Sequence, residues 1–335
     1  MSTVKAWAAM KAGDELKPFE YELDALSAGE VDVKVTSCGI CHSDVSMIEN
    51  EWRNAQYPLV PGHEIIGTVE SVGDGVTHIK PGDTVGIGWM SGSCLSCQTC
   101  MSGSQHHCRN SQATIVGHHG GFADKVRAQA AWAIKLPDGL DALKAGPLFC
   151  GGVTVFTPIV DYGIQPTDKV GVIGIGGLGH LAVKFLAAWG CEVTAFTTSM
   201  DKEAELKELG AHKVVNTRDE GALKALRGTY DAVISTVNVD LPWGQYIGAL
   251  APRGRLITVG MVMKPMEVRA GQLITGQKAV GGSDTGSPAM ITKMLEFCAR
   301  HDILPETEVF AMDDVNDALA RLKSGKARYR VVLEA

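Results

Sequence analysis

Residues 169–180, KVGVIGIGGLGH, decide how the second half of the chain folds. The apolar run 169–173 predicts a buried strand, and residues 178–189 have the apolar spacing of an amphipathic helix. Glycines between a strand and a helix permit a tight turn, and the helix N-terminus offers amide donors to a pyrophosphate. The stretch therefore predicts a dinucleotide site, with a glycine-rich turn that binds nothing as the alternative. The residues expected to contact the dinucleotide here are Gly174, Gly176, Gly177, Leu178 and Gly179.

Strands continue to alternate with helices beyond this turn. Residues 192–197 predict a strand and residues 200–209 a helix, and further strands are expected at 232–234 and 255–259. Such alternation predicts a parallel sheet wound on both faces by helices, and hence an α/β domain. We place this domain at residues 147–285.

The residues before this domain have a different pattern, with short β-rich runs separated by glycine. Runs at 31–35, 65–73 and 82–85 alternate apolar and polar residues, which predicts a small barrel-like β domain over residues 1–146. Residues 286–335 predict a helix near 288–300 and a strand at 330–333, and they do not extend the βα alternation. We expect this last segment to return to the first domain.

Composition excludes several classes of partner. The 335 residues carry a formal net charge of −7, which argues against a nucleic-acid groove. The sequence contains no run of about 18 apolar residues that would span a bilayer, and residues 1–5 show no apolar signal core. We therefore expect a cytoplasmic protein with no membrane partner, whose nine cysteines bind metal or react instead of forming disulfides.

Four cysteines lie close together in a polar segment with almost no aliphatic residues. Their spacing is Cys94-x2-Cys97-x2-Cys100-x7-Cys108, and four thiolates at such spacing can close a tetrahedral zinc shell. Four protein ligands leave no open position, so the predicted site is structural. Free surface cysteines are the alternative. The pairs His106-His107 and His118-His119 are not needed as ligands.

Three further segments carry metal-ligand side chains. They are Cys41-His42-Ser43-Asp44, Gly62-His63-Glu64, and residues 148–152 around Cys150. Each segment alone is weak, because a single Cys or His is more often a core residue than a ligand. Together they suggest a second metal site.

These motifs, in this order over essentially the whole length, resemble the zinc-containing medium-chain alcohol dehydrogenases. Within that family the closest resemblance is to the cinnamyl alcohol dehydrogenase-like branch and its bacterial aldehyde reductases. The resemblance implies a GroES-like β-rich catalytic domain that carries two zinc ions and a Rossmann domain that binds NADP(H). It also implies hydride transfer between the coenzyme and a small primary alcohol/aldehyde pair, aromatic or aliphatic, in a homodimer paired through the dinucleotide-binding sheet.

The resemblance also assigns roles to residues of the mixed segments. It implies that Cys41, His63 and Cys150 hold the catalytic zinc, with Glu64 beside it as a neighbour or occasional ligand. Asp44 would orient His63, Ser43 would be the relay hydroxyl at the substrate oxygen, and His42 would lie near the pyrophosphate. Either Arg328 or Arg330 would neutralise Asp44 and Glu64. Many relatives carry a histidine at the position of Ser46, so the last proton step stays open between water and the Ser46 hydroxyl.

Two more sets of residues are expected around the substrate and the coenzyme. Trp52, Trp89 and Met90 match positions that line the cleft in relatives and favour flat or slender aldehydes. The alternative is that either tryptophan is an ordinary core residue. No acid stands at the end of the strand 192–197, about 20 residues beyond the glycine motif, where NAD-selective enzymes usually place one, and this favours NADP over NAD. The residues expected at the 2'-phosphate are Thr197, Thr198, Ser199 and Lys202, with Asp201 opposing them, and Val259 and Ser283 complete the predicted coenzyme contacts.

Two other functions compete with this prediction. An NAD-linked alcohol or polyol dehydrogenase would differ in which coenzyme saturates at lower concentration. A catalytically silent protein that binds zinc and a dinucleotide would lack turnover with every aldehyde. The complete set of ligand residues together with Ser43 weighs against the silent protein.

Overall fold

The computed structural model describes residues 2–219 and 221–335. The chain divides into two compact units. The first runs to Val153 and resumes at Thr285–Ala335, and the second is Thr154–Asp284. The first boundary falls inside a helix, Gly151–Asp161.

Seventeen strands are present among the described residues. In chain order they are β1 Ser2–Ala8, β2 Lys17–Leu23, β3 Glu30–Ile40, β4 Glu64–Val72, β5 Thr84–Ile87, β6 Met90–Gly92, β7 Gln112–Ala113, β8 Lys125–Gln129, β9 Ile134–Lys135, β10 Lys169–Ile173, β11 Glu192–Thr197, β12 Lys213–Asn216, β13 Tyr230–Ser235, β14 Leu250–Thr258, β15 Ala279–Gly282, β16 Thr307–Ala311 and β17 Arg330–Glu334.

Eleven α-helices and several shorter 3-10 turns connect these strands in the described part of the chain. The helices are α1 His42–Ile48, α2 Gln98–Met101, α3 Ala142–Ala145, α4 Gly151–Asp161, α5 Gly179–Trp189, α6 Glu203–Glu208, α7 Ala222–Ala225, α8 Trp243–Ala249, α9 Ala270–Ile274, α10 Pro288–His301 and α11 Val315–Lys323. The 3-10 turns are Gln105–His107, Ala130–Trp132, Gly146–Phe149, Met200–Lys202 and Met312–Asp314.

The second unit is built on a six-stranded sheet. Its strand order is β12-β11-β10-β13-β14-β15, and every neighbouring pair is parallel. This is the order of a dinucleotide-binding Rossmann sheet. Helix α5 packs against β10 and β11, and α8 packs against β14. The predicted α/β class with a parallel sheet is therefore confirmed.

The first unit is β-rich, as predicted. Its main sheet has the order β16-β17-β3-β4-β5-β9, with β8 paired to β3, and β3 is antiparallel to both β4 and β17. The larger of two apolar clusters among the described residues of this unit includes Val33, Ile40, Ile65, Ile87 and Phe122 of this sheet and its neighbours, and the smaller one includes Val4 and Val60. Alternating apolar residues along β3 and β4 supply one face of the larger cluster, which is why short, glycine-separated runs fold together.

Several boundaries differ from those predicted. Strand β3 extends to Ile40, five residues beyond the run seen in the sequence, so that Cys41 directly follows its end. The helix predicted at 200–209 is a 3-10 turn followed by α6. Helix α4 and strands β12 and β15 had no prediction. Helix ends and short edge strands carry little periodicity, which limits such predictions.

No single helix in the described ranges is long and apolar enough to cross a membrane. One bent helix pair, Ala142–Phe149 with Gly151–Asp161, passes that test by length and composition only.

Candidate functional site

Four side chains from three distant parts of the sequence meet in the first unit. The ligand atoms of Cys41, His63, Glu64 and Cys150, hereafter the mixed cluster, all lie within 4.8 Å of one another, and all four residues are buried. Cys41 follows β3, and Glu64 begins β4. Because Gly39 is paired with Glu64 in this antiparallel ladder, the end of one strand lies beside the start of the next.

Two glycines allow the approach of these segments. A Cβ atom at Gly39 would lie 2.1 Å from Glu64 Oε2, and a Cβ at Gly62 would lie 2.5 Å from the Phe122 ring. Gly62 also has φ +96°, a region that other residues rarely adopt. The sequence between the two strands is therefore constrained by packing as well as by chemistry.

Asp44 organises the mixed cluster from the first turn of α1. Its carboxylate accepts the backbone N–H groups of Cys41 and Gly62, each at 2.9 Å, and its Oδ1 lies 2.9 Å from His63 Nδ1. With Nδ1 bonded to the carboxylate, His63 presents Nε2 to Cys150 Sγ at 3.3 Å. Asp44 therefore fixes both the position and the orientation of the ring.

Arg330, and not Arg328, is the cation of the mixed cluster. Its guanidinium donates to Glu64 Oε1 and to the Ile40 carbonyl, and its residue is buried. Arg328 is exposed and its backbone N–H donates to Glu308. Burial raises the pKa of Glu64 to about 7 even though Arg330 lowers it. Among the described residues, Glu64 Oε2 has no hydrogen-bond partner, so one carboxylate oxygen is left over.

The donors of the mixed cluster fit a zinc ion. Two thiols and one imidazole are the soft and borderline ligands that zinc prefers, and three of them leave a fourth position open. A hydrogen bond with Cys150 holds the pKa of Cys41 well below its usual range, so a thiolate is favoured at this position. Glu64 is the one carboxylate of the mixed cluster, and its unpartnered oxygen is a further possible metal ligand.

Three residues of α1, His42, Ser43 and Ser46, differ in burial and in the groups that they contact. Ser43 is half-buried, with its Oγ 3.7 Å from Cys41 Sγ, so the predicted relay hydroxyl lies beside the mixed cluster. His42 is exposed at the start of the helix. Ser46 is buried and donates to Glu51 Oε2 at 2.6 Å, a partner that the sequence did not indicate.

The predicted pocket residues form an aromatic wall next to His63. The Trp89 ring meets the His63 ring edge-on, with centroids 4.9 Å apart, and the Trp52 ring meets Trp89 at 5.8 Å. Both indoles are half-buried, and Met90 follows as the first residue of β6. The two tryptophans also pack against the core of the first unit.

The four cysteines at 94–108, hereafter the four-cysteine loop, also come together. Their Sγ atoms are separated by 3.5 Å between Cys94 and Cys108, and by 3.9 Å in the pairs Cys94–Cys100 and Cys97–Cys108. Four sulfurs at about 2.3 Å from one zinc ion would be about 3.8 Å apart in a tetrahedron. These separations, and the 4.8 Å within which all four ligand atoms lie, are close to those of a tetrahedral zinc site.

Backbone amides prepare the four-cysteine loop for a metal. Backbone N–H groups donate to the sulfurs of Cys94, Cys97 and Cys108 at 3.4 to 3.5 Å. Amides of Ser96 and Cys97 lower the pKa of Cys94 to about 6. Among the described residues, the histidines in the neighbourhood contribute no ligand atom to this group, and the His106 and His107 rings contact each other at a tilt of 41° with centroids 3.9 Å apart.

In the second unit, the glycine motif shapes the turn between β10 and α5. Gly174 has φ +85°, and a Cβ there would lie 2.3 Å from Val237. A Cβ at Gly179 would lie 1.9 Å from the Gly174 carbonyl oxygen, whereas a Cβ at the exposed Gly176 would meet no described atom within 4 Å. Two glycines thus close the turn, and the third leaves room at the N-terminus of α5, which fits a pyrophosphate.

The predicted coenzyme residues lie at the carboxyl ends of parallel strands. Thr197 ends β11, while Val259 and Ser283 follow β14 and β15. Thr197 Oγ accepts the Ser199 N–H at 3.2 Å and donates to the Ser199 carbonyl at 3.1 Å. Thr198 is exposed, and the Ser199 side chain makes no capping bond to the turn Met200–Lys202 that contains Lys202.

Arg218 is a candidate contact to the 2'-phosphate that the sequence analysis did not predict. Thr197 pairs with Asn216 in the parallel ladder, and Arg218 follows two residues later, exposed at the same edge of the sheet. The signal that would have found it is the predicted register of β12, and this strand was not predicted.

Comparison with known proteins places the chain in a family. Residues 27–138 match the alcohol dehydrogenase GroES-like domain, and residues 177–300 match the zinc-binding dehydrogenase domain. An aldehyde reductase, AdhA, of Synechocystis is 54% identical over 330 residues, which cover 98% of each chain. The chain therefore belongs to the zinc-binding medium-chain alcohol dehydrogenases, in the cinnamyl alcohol dehydrogenase-like branch.

Solved structures show the same fold. A cinnamyl alcohol dehydrogenase from Sorghum bicolor superposes with a TM-score of 0.95 at 38% identity, covering 99% of this chain and 98% of that one. A cinnamyl alcohol dehydrogenase from Helicobacter pylori, determined as a complex with NADP(H), gives a TM-score of 0.91 at 28% identity, with 99% and 98% coverage. The chain thus has the GroES-like and Rossmann-type architecture expected from its motifs.

Proposed function

We propose that this protein is a zinc-dependent alcohol dehydrogenase or aldehyde reductase that transfers a hydride between NADP(H) and a primary alcohol/aldehyde pair. The observation that carries this is the buried set Cys41, His63 and Cys150, whose donor atoms converge beside the Ser43 hydroxyl. The similarity to the Synechocystis aldehyde reductase supports it over the whole chain.

We assign one zinc ion to the mixed cluster and a second to the four-cysteine loop. Cys41, His63 and Cys150 would hold the first ion, which would supply Lewis-acid chemistry at the substrate oxygen, while NADP(H) would supply the hydride chemistry. Asp44 keeps His63 Nε2 directed at the cluster. Arg330 neutralises Glu64, whose unpartnered oxygen makes it an occasional additional ligand.

Two residues at the start of α1 have proposed roles, Ser43 at the proton of the substrate oxygen and His42 at the coenzyme. Ser43 is half-buried and close to Cys41, so its hydroxyl is in position to hydrogen-bond the substrate oxygen and to hold its proton. We propose that His42, exposed at the start of the same helix, contacts the pyrophosphate. We propose that, in the second unit, the glycine turn at Gly174, Gly176, Gly177, Leu178 and Gly179 binds a pyrophosphate at the N-terminus of α5.

The aromatic wall determines which aldehydes fit. The Trp89 ring contacts His63 edge-on, and the Trp52 ring contacts Trp89 edge-on. Met90 extends this apolar surface. Flat side chains favour benzaldehyde or cinnamaldehyde over branched or polyhydroxylated substrates, because a polyol would leave hydroxyl groups unpaired against the indoles.

A turnover assay with a panel of aldehydes tests this function. Trp89→Ala should lower the ratio of kcat/KM for benzaldehyde to that for propanal by about 10-fold or more, as expected for loss of a large apolar contact. Trp7→Ala, which changes another half-buried tryptophan packed on the same core, is the matched control and should leave that ratio unchanged. An unaltered ranking in Trp89→Ala, or no turnover of any aldehyde by the zinc-loaded protein, would contradict the proposal.

The preference for NADP(H) rests on the end of β11. Thr197 shapes the turn, which leaves the Thr198 and Ser199 hydroxyls and the Lys202 ammonium as donors for a 2'-phosphate, with Arg218 at the same sheet edge. Val259 and Ser283 complete the proposed contacts. Asp201 is exposed in the following turn and weakens the preference without supplying the acid that NAD-specific sites place on the ribose.

Comparing kcat/KM for the two coenzymes tests this preference. Thr198→Asp should lower the NADPH:NADH ratio about 10- to 100-fold, because a charge-assisted hydrogen bond of about 1.5 to 3 kcal/mol is replaced by repulsion. Thr292→Asp, at an exposed threonine of α10, is the control for the added charge. Equal values for the two coenzymes in the unaltered protein would favour the NAD-linked alternative.

We also propose a cytoplasmic homodimer. None of the nine cysteines, all of them described, is in a disulfide, which fits a reducing compartment. Strand β15 ends the six-stranded sheet, and Met261, Met263 and Ile274 in the same unit are exposed apolar side chains, which supports pairing through this edge. Sedimentation at the mass of one 35.6 kDa chain would contradict the dimer.

A further inference from the structure

The loop that carries Trp52 has an unusual backbone. It comprises residues 49–57, hereafter loop 49–57, and joins the end of α1 to the segment before β4. Asn50 and Arg53 adopt φ values of +55° and +59°, and they flank Trp52 closely on either side. Non-glycine residues rarely occupy this region, so the surrounding contacts must hold the loop in place.

Hydrogen bonds to α1 supply that restraint. The Glu51 N–H donates to the Ser46 carbonyl at 2.9 Å, and Ser46 Oγ donates to Glu51 Oε2 at 2.6 Å. Glu51 is therefore tied to one buried residue through both its backbone and its side chain. Tyr57 closes the other end of the loop by donating its hydroxyl to the carbonyls of Met47 and Ile48.

The two indoles of the aromatic wall are held in place by different parts of the chain. Trp89 lies between β5 and β6, and its carbonyl accepts the Thr114 N–H at 2.8 Å, so a backbone hydrogen bond next to the β6–β7 pair holds its backbone. Trp52 belongs to loop 49–57, and its neighbour Glu51 is the residue tied to α1. Because the Trp52 ring contacts Trp89 and Trp89 contacts His63, a shift of loop 49–57 moves the Trp52 end of the aromatic wall.

We propose that the hydrogen bond between Ser46 and Glu51 sets the aldehyde preference by holding Trp52 against Trp89. Ser46 and Glu51 are positioning residues that act through Trp52. The Ser46 hydroxyl is the donor of this hydrogen bond. The inference rests on the proposed function, since it takes the two indoles as walls of the substrate pocket. Loss of the bond widens the pocket and weakens binding of flat aromatic aldehydes, while a small aldehyde that does not reach Trp52 is unaffected.

Steady-state kinetics of the zinc-loaded full-length enzyme test the inference with Glu51→Ala. Glu51 is exposed, so this variant should fold normally. The KM for benzaldehyde should rise at least about fivefold with kcat nearly unchanged, and the values for propanal should change less than twofold. Glu51→Gln keeps an acceptor oxygen and should restore most of the benzaldehyde KM. Glu49→Ala is the matched control, because Glu49 lies on the same loop and its carboxylate pairs with the exposed Lys323 amine at 2.6 Å instead of with α1.

Ser46→Ala supplies the reciprocal test. It should raise the benzaldehyde KM as much as Glu51→Ala does, and the double variant should show no further rise, since both changes remove one bond. An equal fall in kcat for benzaldehyde and propanal in Ser46→Ala would overturn the inference, because a proton-transfer role affects every substrate. Unchanged KM in Glu51→Ala would overturn it as well.

Fluorescence quenching separates this inference from the proposed function. Acrylamide should quench the tryptophan fluorescence of Glu51→Ala more than that of the unaltered protein, and Trp52→Phe should abolish the difference. If no aldehyde is turned over, the quenching still reports whether Glu51 holds Trp52. Quenching that is identical with and without the Glu51 side chain would refute the positioning role even in an active enzyme.

Discussion

The mixed cluster and the four-cysteine loop both gather metal-ligand side chains, but they are built in opposite ways. The loop takes its four sulfurs from fifteen consecutive positions, and three of these sulfurs accept backbone amides from the loop or from Asn110 just after it. The mixed cluster takes its donors from the ends of β3 and β4 and from the residue after a 3-10 turn. One is a local structure, and the other is a product of the whole first unit.

This difference predicts that the four-cysteine loop contributes to stability and the mixed cluster to catalysis. The four-cysteine loop has a complete set of four identical ligands and partly exposed sulfurs, so a metal there can only cross-link the chain. The mixed cluster is fully buried and held by Asp44 and Arg330, with three zinc-type ligands and one open position. Changes in the two regions should therefore have different consequences.

The largest expected effect is that of Cys150→Ser on turnover. Loss of a ligand sulfur at the mixed cluster should lower kcat/KM at least about 1000-fold, because the Lewis acid contributes several kcal/mol and each 1.36 kcal/mol is tenfold in rate. Zinc content should fall from two to one per chain, while circular dichroism and the unfolding midpoint stay close to those of the unaltered protein. Turnover within tenfold of the original would contradict the assignment.

Asp44→Asn should have an intermediate effect. The carboxylate accepts two backbone N–H groups and orients His63, so the amide should weaken zinc affinity of the mixed cluster about 10- to 100-fold. Competition with a chromophoric chelator measures this, and the zinc of the four-cysteine loop should be released as before. Asp32→Asn is the control, because Asp32 is a nearly buried carboxylate of the same sheet that pairs with Arg127. Equal losses in both variants would show that general destabilisation is responsible.

Cys100→Ser should have the smallest effect on turnover. It removes one zinc ion and lowers the unfolding midpoint and the yield of folded protein, since a structural metal contributes directly to folding. Turnover per correctly folded, zinc-loaded molecule should stay within about fivefold of the original, because the sheet that builds the mixed cluster does not include this loop. A specific loss of kcat in fully folded Cys100→Ser would mean that the two regions are coupled.

The same contrast explains what the sequence predicted. The four-cysteine loop is recognisable because all its ligands fall within one short spacing pattern, and the glycine turn is recognisable because strand and helix periodicities adjoin it. The mixed cluster required three separate segments to be joined, and their order along the chain was informative only through resemblance to a family. The parallel order of the six-stranded sheet followed from βα alternation.

The details that escaped prediction depend on strand boundaries and on loops. Arg328 and Arg330 are two residues apart, and only the start of β17 at Arg330, paired beside Ile40, selects the second of them. The bond between Ser46 and Glu51 joins a helix to a loop with no periodic pattern. Arg218 depends on the register of β12, a four-residue edge strand with little signal. Tertiary pairing decides such contacts, and it leaves little trace in local sequence.

The partnership of Glu64 with Arg330 also has a consequence for biosynthesis. These residues are 266 positions apart, so a ribosome adding about 5 to 20 residues per second needs roughly 13 to 53 s to make the second after the first. Cys94 and Cys108 are 14 positions apart and are both made within roughly 1 to 3 s. During synthesis the four-cysteine loop is therefore ready for its metal early, whereas Glu64 lacks its counter-ion until β17 has been translated.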